Sequence, residues 1–337
     1  MKTKIIAEIG INHNGDLDKA KKLIDLAKSA NSDFVKFQLY KTDSLVIKKA
    51  PLASYQKLSS DSPSQYELLK KNELNFDQIR YLKKYCIKKK IKFLCSPFDN
   101  ESANFLVNKL NENLVKIPSG EINNFPMLKI LIRKKGINLI ISTGMSNLPE
   151  ITETINFLKK NKFDVTNNVT LLHCVSSYPT NIYDMNLRFI HTLRKTYSTK
   201  VGLSDHTNDS FLAKFAVCLD CEYIEKHITL SNKMKGPDHK SSLNPKNFKI
   251  FTNEITNSHL IMGDNKKNMK RDELSNKKIA MKSLYAKTNI KINDIFTSKN
   301  IILKRPMNIK AAKPHDYFKL LGKKSKKNYS ADTPIIL

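Results

Sequence analysis

The chain has 337 residues, of which 40% are hydrophobic, enough for a large packed domain plus a small one and too apolar for a disordered chain. Its formal net charge is +28, yet only six of its 59 basic residues are Arg (80, 133, 188, 194, 271, 305) and no basic–aromatic interleaving occurs, so the charge reads as lysine-rich solvated faces rather than a nucleic-acid surface. No apolar run approaches the ~20 residues of a membrane helix, and the five cysteines form no paired framework, so a reduced cytoplasmic protein is expected.

Apolar strand-like runs alternate with segments of helical period. The first strand, Lys4–Ile9, begins almost at the N-terminus, which argues against a cleaved signal peptide. A helix over Leu17–Ala30 follows, then a strand at Phe34–Leu39. A long insert, Tyr40–Asn75, reads as an extended loop over the mouth of the fold. The pattern resumes with a helix at Phe76–Lys90, a strand at Lys92–Ser96, a helix at Ser102–Asn111, a strand at Leu114–Pro118 and a helix at Pro126–Lys135. It continues through strand Asn138–Thr143, helix Pro149–Lys160, strand Val169–Val175, helix Leu187–Tyr197, strand Lys200–Ser204, helix Ser210–Leu219, strand Glu222–Ile228 and helix Pro245–Met262. Eight strand–helix units match a (β/α)8 TIM barrel in number and size, an α/β fold. The barrel is expected over 1–263. A polar stretch over 264–280 reads as a linker, and 281–337 as a small second domain with short β pieces at Ser283–Ala286 and Ile301–Lys304.

In such a barrel the C-terminal strand ends carry the chemistry. Taken in order they present Glu8; Lys36 and Gln38; Ser96; Lys116, Ser119 and Glu121; Ser142 and Thr143; Ser176 and Tyr178; Ser204, Asp205 and His206; then His227. Two imidazoles at neighbouring strand ends, His206 and His227, are candidate ligands of one metal ion. Lys36 and Lys116 would be buried cations without a counter-charge, a state that a bound phosphate or carboxylate would relieve. The serines are neutral donors suited to phosphate oxygens. Cys218 and Cys221 form a C-x-x-C with no second pair to complete a zinc site, and read as packing cysteines. His191, His259 and His315 lie in helical or peripheral segments and read as structural.

The motifs resemble those of the sialic acid synthase family, the nonulosonate synthases. They are Ala7-Glu-Ile-Gly-Ile-Asn-His-Asn-Gly15, Val35-Lys-Phe-Gln38, Cys95-Ser-Pro-Phe98, Val115-Lys-Ile-Pro-Ser-Gly-Glu121, Ile141-Ser-Thr-Gly-Met145, Leu172-His-Cys174 with Tyr178-Pro179, Gly202-Leu-Ser-Asp-His-Thr207, Glu225-Lys-His227 and Gly236-Pro-Asp238. Lys304-Arg-Pro306 resembles part of that family's C-terminal antifreeze-like (SAF, β-clip) domain. Two departures stand out: Ser176 where some relatives carry Asn, and Met307-Asn308 where Gly usually follows the Lys-Arg-Pro run.

The resemblance implies condensation of phosphoenolpyruvate with an N-acyl sugar, releasing phosphate. N-acetylmannosamine giving N-acetylneuraminate is the leading expectation, and a diacetamido-trideoxy sugar giving legionaminate or pseudaminate the alternative. It implies a divalent metal at His206 and His227, manganese first, with magnesium or cobalt as alternatives. Lys36, Ser96, Lys116, Ser119, Ser142 and Ser204 would hold phosphoenolpyruvate. Glu8, Gln38, Tyr178 and Asp238 would surround the sugar, with Ser176 on that side, and Glu121 would orient the attacking water. Arg305 would reach the sugar's acyl group from the other subunit of a homodimer with swapped C-terminal domains. The stretch Ser54-Tyr-Gln-Lys…Ser64-Gln-Tyr-Glu-Leu68 could read the acceptor. Two other classes fit parts of the pattern: a 3-deoxy-sugar-acid synthase acting on a phosphorylated aldose, and a non-catalytic sugar- or ice-binding protein.

Overall fold

The computed structural model describes residues 2–57, 62–264 and 266–337, without the side chains of Ser54 and Tyr55. The chain divides into two compact units, one ending at Gly263 and one spanning Asp264–Leu337.

The first unit is a TIM barrel. Its eight strands are β1 (Lys4–Gly10), β2 (Phe34–Leu39), β3 (Lys92–Pro97), β4 (Leu114–Ile117), β5 (Asn138–Ser142), β6 (Val169–Cys174), β7 (Lys200–Asp205) and β8 (Tyr223–His227). They lie in the order β3-β2-β1-β8-β7-β6-β5-β4, and every paired neighbour is parallel. β3 and β4 pack side by side and bring the ring near closure. Strand ends fall within one or two residues of the sequence reading.

Polar side chains fix the helix starts. The Asp16 carboxylate accepts from the backbone N–H of Asp18 and Lys19 to cap Leu17–Ser29, and Asn75 forms a reciprocal capping box with Gln78 at the head of Phe76–Lys88. The helix expected over Ser102–Asn111 begins earlier, at Asn100, because Asp99 caps it, and then widens into a π-helical turn over Phe105–Lys109. The insert after β2 is not an extended loop. It contains helices Thr42–Leu45, Ser54–Lys57 and Gln65–Asn72. Within the stretch read as acceptor-sensing, residues 58–61 and the side chains of Ser54 and Tyr55 lie outside the described residues.

The barrel has two apolar cores. The larger fills the layer between strands and helices. The smaller lies inside the ring, made by Ile6, Phe34, Leu94, Ile140, Leu172 and Tyr223, with Leu114 packed against it. Side chains alternate across a strand, so the next inward residue on each strand sits two positions further on: Glu8, Lys36, Ser96, Lys116, Ser142, Cys174, Ser204 and Glu225. The interior is thus an apolar floor under a polar layer. β7 contributes no side chain to the floor, since Gly202 occupies that position between Leu172 and Tyr223.

The second unit opens with helix Arg271–Ala280, inside the stretch read as a linker. Nothing on that helix is buried, so it shows no apolar period to read. Asp272 and Glu273 in its first turn and Lys277 and Lys278 in its last suit the helix dipole. β9 (Ser283–Ala286) and β10 (Ile301–Lys304) pair antiparallel over a core that includes Leu284, Ile290, Phe296, Ile301, Tyr329 and Ile335.

The Gly202 contact gives a direct test of the floor. An added Cβ would stand 2.5 Å from both Leu172 Cδ2 and the Tyr223 carbonyl oxygen. Gly202→Ala is expected to destabilise the barrel by about 1–3 kcal/mol, the usual magnitude of overpacking. A thermal melt with an unchanged midpoint would contradict this close approach.

Candidate active site

The polar layer opens into a cavity of about 690 Å³ at the C-terminal ends of the strands. Its walls include Glu8, Lys36, Gln38, Lys116, Ser119, Glu121, Ser142, Ser176, Tyr178, Ser204, His206, Glu225, His227 and Asp238. Of the expected site residues in the first unit, only Ser96 lies outside this wall. It is fully buried beneath, accepting a hydrogen bond from Lys36 Nζ at 3.1 Å. Arg305 is exposed at the end of β10 in the second unit.

Strand register explains the groupings. Glu8 stands beside Lys36 on one flank and beside His227 on the other, while Ser204 stands beside Glu225. The sequence led to the expectation that Lys36 and Lys116 lack counter-charges; the structure corrects this, because Glu8 and Glu225 point inward beside them. Lys36 Nζ lies 2.8 Å from Glu8 Oε2 and 3.6 Å from Glu225 Oε2, and Lys116 Nζ lies 3.7 Å from Glu225 Oε1. Glu225 was absent from the expected set, although the period Tyr223, Glu225, His227 places it on the inner face.

Burial alone would push a carboxylate up, but Lys116 and Lys36 reverse that for Glu225 and hold it at about 2. Its Oε1 also accepts from the Ser204 hydroxyl at 2.8 Å. Glu8 differs: burial dominates the opposing pull of Lys36 and raises it to about 7. For Lys36, burial works against the charge, yet Glu225 and Glu8 outweigh it and raise the ammonium above its usual range. Lys116 goes the other way, lowered by burial that Glu225 offsets only in part. Among the described residues its one hydrogen bond is a long one, 3.3 Å to the carbonyl of Ile117. An ammonium has three donors, so Lys116 keeps donor capacity. The Ser142 hydroxyl is buried with no partner among the described residues.

Gly144 closes one side of this pocket. A Cβ there would lie 2.3 Å from Ser176 Oγ, 2.8 Å from Ser119 Oγ and 3.1 Å from Cys174 Sγ. Only a glycine lets those groups converge, and its backbone N–H donates to Ser119 Oγ at 3.1 Å. Glu121 sits half-buried at the rim, with its acidity weakened by burial and its Oε2 held by the Asn124 amide at 2.7 Å.

Adjoining Cys174, the tilted His206 and His227 rings lie 5.4 Å apart between centroids, and Tyr178 packs 4.3 Å from His206. His206 Nδ1 lies 2.8 Å from the Val175 carbonyl, which fixes a proton on Nδ1 and makes Nε2 the nitrogen that a metal could take. His227 is held neutral by burial and then by His206 and Lys36, and its buried Nδ1 has no partner among the described residues. Burial opposes charge on His206, but the Cys174 thiol 3.8 Å away outweighs it and raises the imidazole to about 9, so a divalent ion held by the two rings, with open positions left over, would displace a proton from His206. Among the described residues, no group of three or more His, Cys, Asp or Glu takes a metal-binding arrangement. Asp238, raised to about 6 by burial, and Gln38, which donates to Glu8 Oε1 at 3.2 Å, complete the wall. Asp205 instead points outward, paired with the buried Lys226 at 2.7 Å.

Comparison with known proteins agrees with this arrangement. The NeuB family model matches residues 23–267. The N,N'-diacetyllegionaminic acid synthase of Campylobacter jejuni subsp. jejuni is 43% identical over 332 residues, covering 98% of both chains. The N,N'-diacetyllegionaminic acid synthase of Legionella pneumophila is 35% identical, covering 98% of this chain and 93% of its own. The crystal structure of N-acetylneuraminic acid (sialic acid) synthetase from Leptospira borgpetersenii, in complex with citrate, superposes with a TM-score of 0.70 at 32% identity, covering 82% of this chain and 90% of that one. The chain therefore belongs to the NeuB family, the sialic acid synthases, and is a phosphoenolpyruvate-dependent enzyme that forms a carbon–carbon bond.

Proposed function

We propose that this enzyme condenses phosphoenolpyruvate with a diacetamido-trideoxy sugar to give a legionaminate-type nine-carbon 2-keto acid and phosphate. The observation that carries this reading is the 43% identity, over nearly the full length of both chains, to a protein named N,N'-diacetyllegionaminic acid synthase. The leading expectation from sequence, N-acetylneuraminate, rested on motifs that surround the shared chemistry and not the distinguishing end of the sugar. A phosphorylated aldose would need further cations for its second phosphate. Among the described residues, Lys36 and Lys116 are the only lysine or arginine side chains on the cavity wall.

The chain's own groups divide the work. Lys116, Ser142 and Ser119 offer donors to the phosphate and carboxylate of phosphoenolpyruvate, and Lys36 with Glu225 sets the charge beneath it. C3 of the enol attacks the acceptor aldehyde carbon, and negative charge develops on the carbonyl oxygen. Glu8, whose carboxyl holds a proton to about pH 7, can deliver it to that oxygen. Water adds at C2, oriented by Glu121, and the bond from C2 to the phosphate oxygen breaks. A divalent cation at His206 and His227, manganese by preference, would act as a Lewis acid toward the aldehyde. Charge balance supports it: two lysines against Glu225, with Glu8 protonated, leave about one positive charge for a polyanionic substrate.

For the second unit we propose an antifreeze-like (SAF, β-clip) domain swapped across a homodimer, with Arg305 meeting the acceptor's acyl group in the partner's barrel. The Lys304-Arg305-Pro306 run and the small antiparallel sheet support this. We also place the enzyme in the cytoplasm, a reading supported by five free cysteines. No described helix is long and apolar enough to cross a membrane.

Two measurements test these proposals. Phosphate release should be observed with phosphoenolpyruvate plus the diacetamido-trideoxy sugar, be lost on chelation and return with Mn²⁺. Release only with N-acetylmannosamine would reject the acceptor assignment, and full turnover in chelated enzyme would reject the metal. Mixing the inactive variants His206→Ala and Arg305→Ala should recover about a quarter of wild-type activity, because half the dimers are mixed and each holds one intact site. No recovery would show that Arg305 does not serve the partner's barrel.

A further inference from the structure

The polar floor of the cavity accounts for the reacting end of the acceptor. The wall opposite has a different chemistry. Leu45, Val46 and Leu69, all from the insert between β2 and β3, line the same cavity and are half-buried. Several polar groups of the insert are spent on each other: Asp43 accepts from the Tyr66 hydroxyl at 2.6 Å, and Glu73 accepts from Thr42 N and Oγ1 at 3.0 and 2.8 Å. The Tyr40 hydroxyl donates to the Leu69 carbonyl at 3.1 Å, tying the helix Gln65–Asn72 to the end of β2. Gln65 lies four residues before Leu69, on the same helical face. It also lines the cavity, and its side-chain amide has no hydrogen bond among the described residues.

We infer that this wall selects the acceptor, with Leu45, Val46 and Leu69 receiving the methyl carbon at the sugar's far end and Gln65 pairing with its second acetamido group. The inference rests on the diacetamido reading and assigns the residues that would enforce it. The two candidate acceptors share an aldehyde and one acetamido group. They differ at the opposite end, where one has a methyl and a second acetamido group and the other a hydroxymethyl and a hydroxyl. Because the aldehyde must reach the His206–His227 side and C3 of phosphoenolpyruvate, the differing end faces the insert. An apolar wall is favourable to a methyl and leaves a hydroxyl without partners, while a primary amide offers the donor and acceptor that an acetamide needs.

The test is the ratio of kcat/KM for the diacetamido-trideoxy sugar over N-acetylmannosamine. Wild type should favour the former by about tenfold or more, the range that one methyl-sized difference supplies. In Val46→Thr/Leu69→Asn the ratio should fall by about tenfold, whereas Leu69→Met, which keeps the surface apolar, should hold it. Val46→Thr alone adds a hydroxyl without changing shape, and should lower the ratio in the same direction if the double variant fails to fold. A ratio within about twofold of wild type in folded Val46→Thr and Leu69→Asn would overturn the assignment while leaving the diacetamido reading intact. Wild-type turnover of N-acetylmannosamine alone would overturn both.

Discussion

Everything at the mouth of this barrel depends on one carboxylate shared by two ammonium groups. Glu225 lies 3.6 Å from Lys36 and 3.7 Å from Lys116, beyond hydrogen-bonding distance of both. Removing one partner of a buried ion pair leaves an uncompensated charge and costs about 3–5 kcal/mol. The long separations matter as much as the pairing. They neutralise the lysines enough for the layer to exist without substrate, yet leave the donors of Lys116 uncommitted. Ser204 completes the device by holding Oε1 of Glu225 at 2.8 Å.

The layer works because of what lies under it. Ile6, Phe34, Leu94, Ile140, Leu172 and Tyr223 plug the ring, and the strand period then brings polar side chains inward together, one level higher. Both carboxylates of that layer are buried, and the lysines separate them: Lys116 and Lys36 overcome burial at Glu225 and hold it at about 2, while at Glu8 burial and the charge of Glu225 prevail and leave it at about 7. Two carboxylates with opposite proton bias, a pair of lysines and two imidazoles then face one volume. That composition suits a condensation in which charge moves from a polyanion to an aldehyde oxygen and back to released phosphate.

Much of this was legible in the sequence. The alternation of strand-like and helix-like runs gave the barrel, and strand-end position alone found most of its polar layer, though not the wall that the insert after β2 supplies. What it missed has a physical cause in each case. Glu225 hid just before Lys226 and His227, in a run whose alternate residues face opposite sides. Lys226 turns outward to Asp205, and only the register with Ser204 shows that Glu225 turns in. The helix Arg271–Ala280 has no buried face, so no apolar period marked it. The insert after β2 looked like loop because its short helices are held by polar contacts between distant residues, such as Thr42 with Glu73. The acceptor's identity was not carried by the motifs at all, since they surround the reacting groups common to the whole family.

The shared counter-charge is tested most directly by thermal melts of Glu225→Gln with and without phosphoenolpyruvate. Gln keeps the shape and removes the charge, leaving Lys36 and Lys116 as neighbouring buried cations with one carboxylate fewer between them. The midpoint should fall by roughly 6–20 °C for a loss of about 3–5 kcal/mol in a domain of this size. Phosphoenolpyruvate should raise the variant's midpoint more than the wild type's, because its own charge replaces the missing carboxylate. An unchanged midpoint, with the same response to phosphoenolpyruvate in both proteins, would contradict the account.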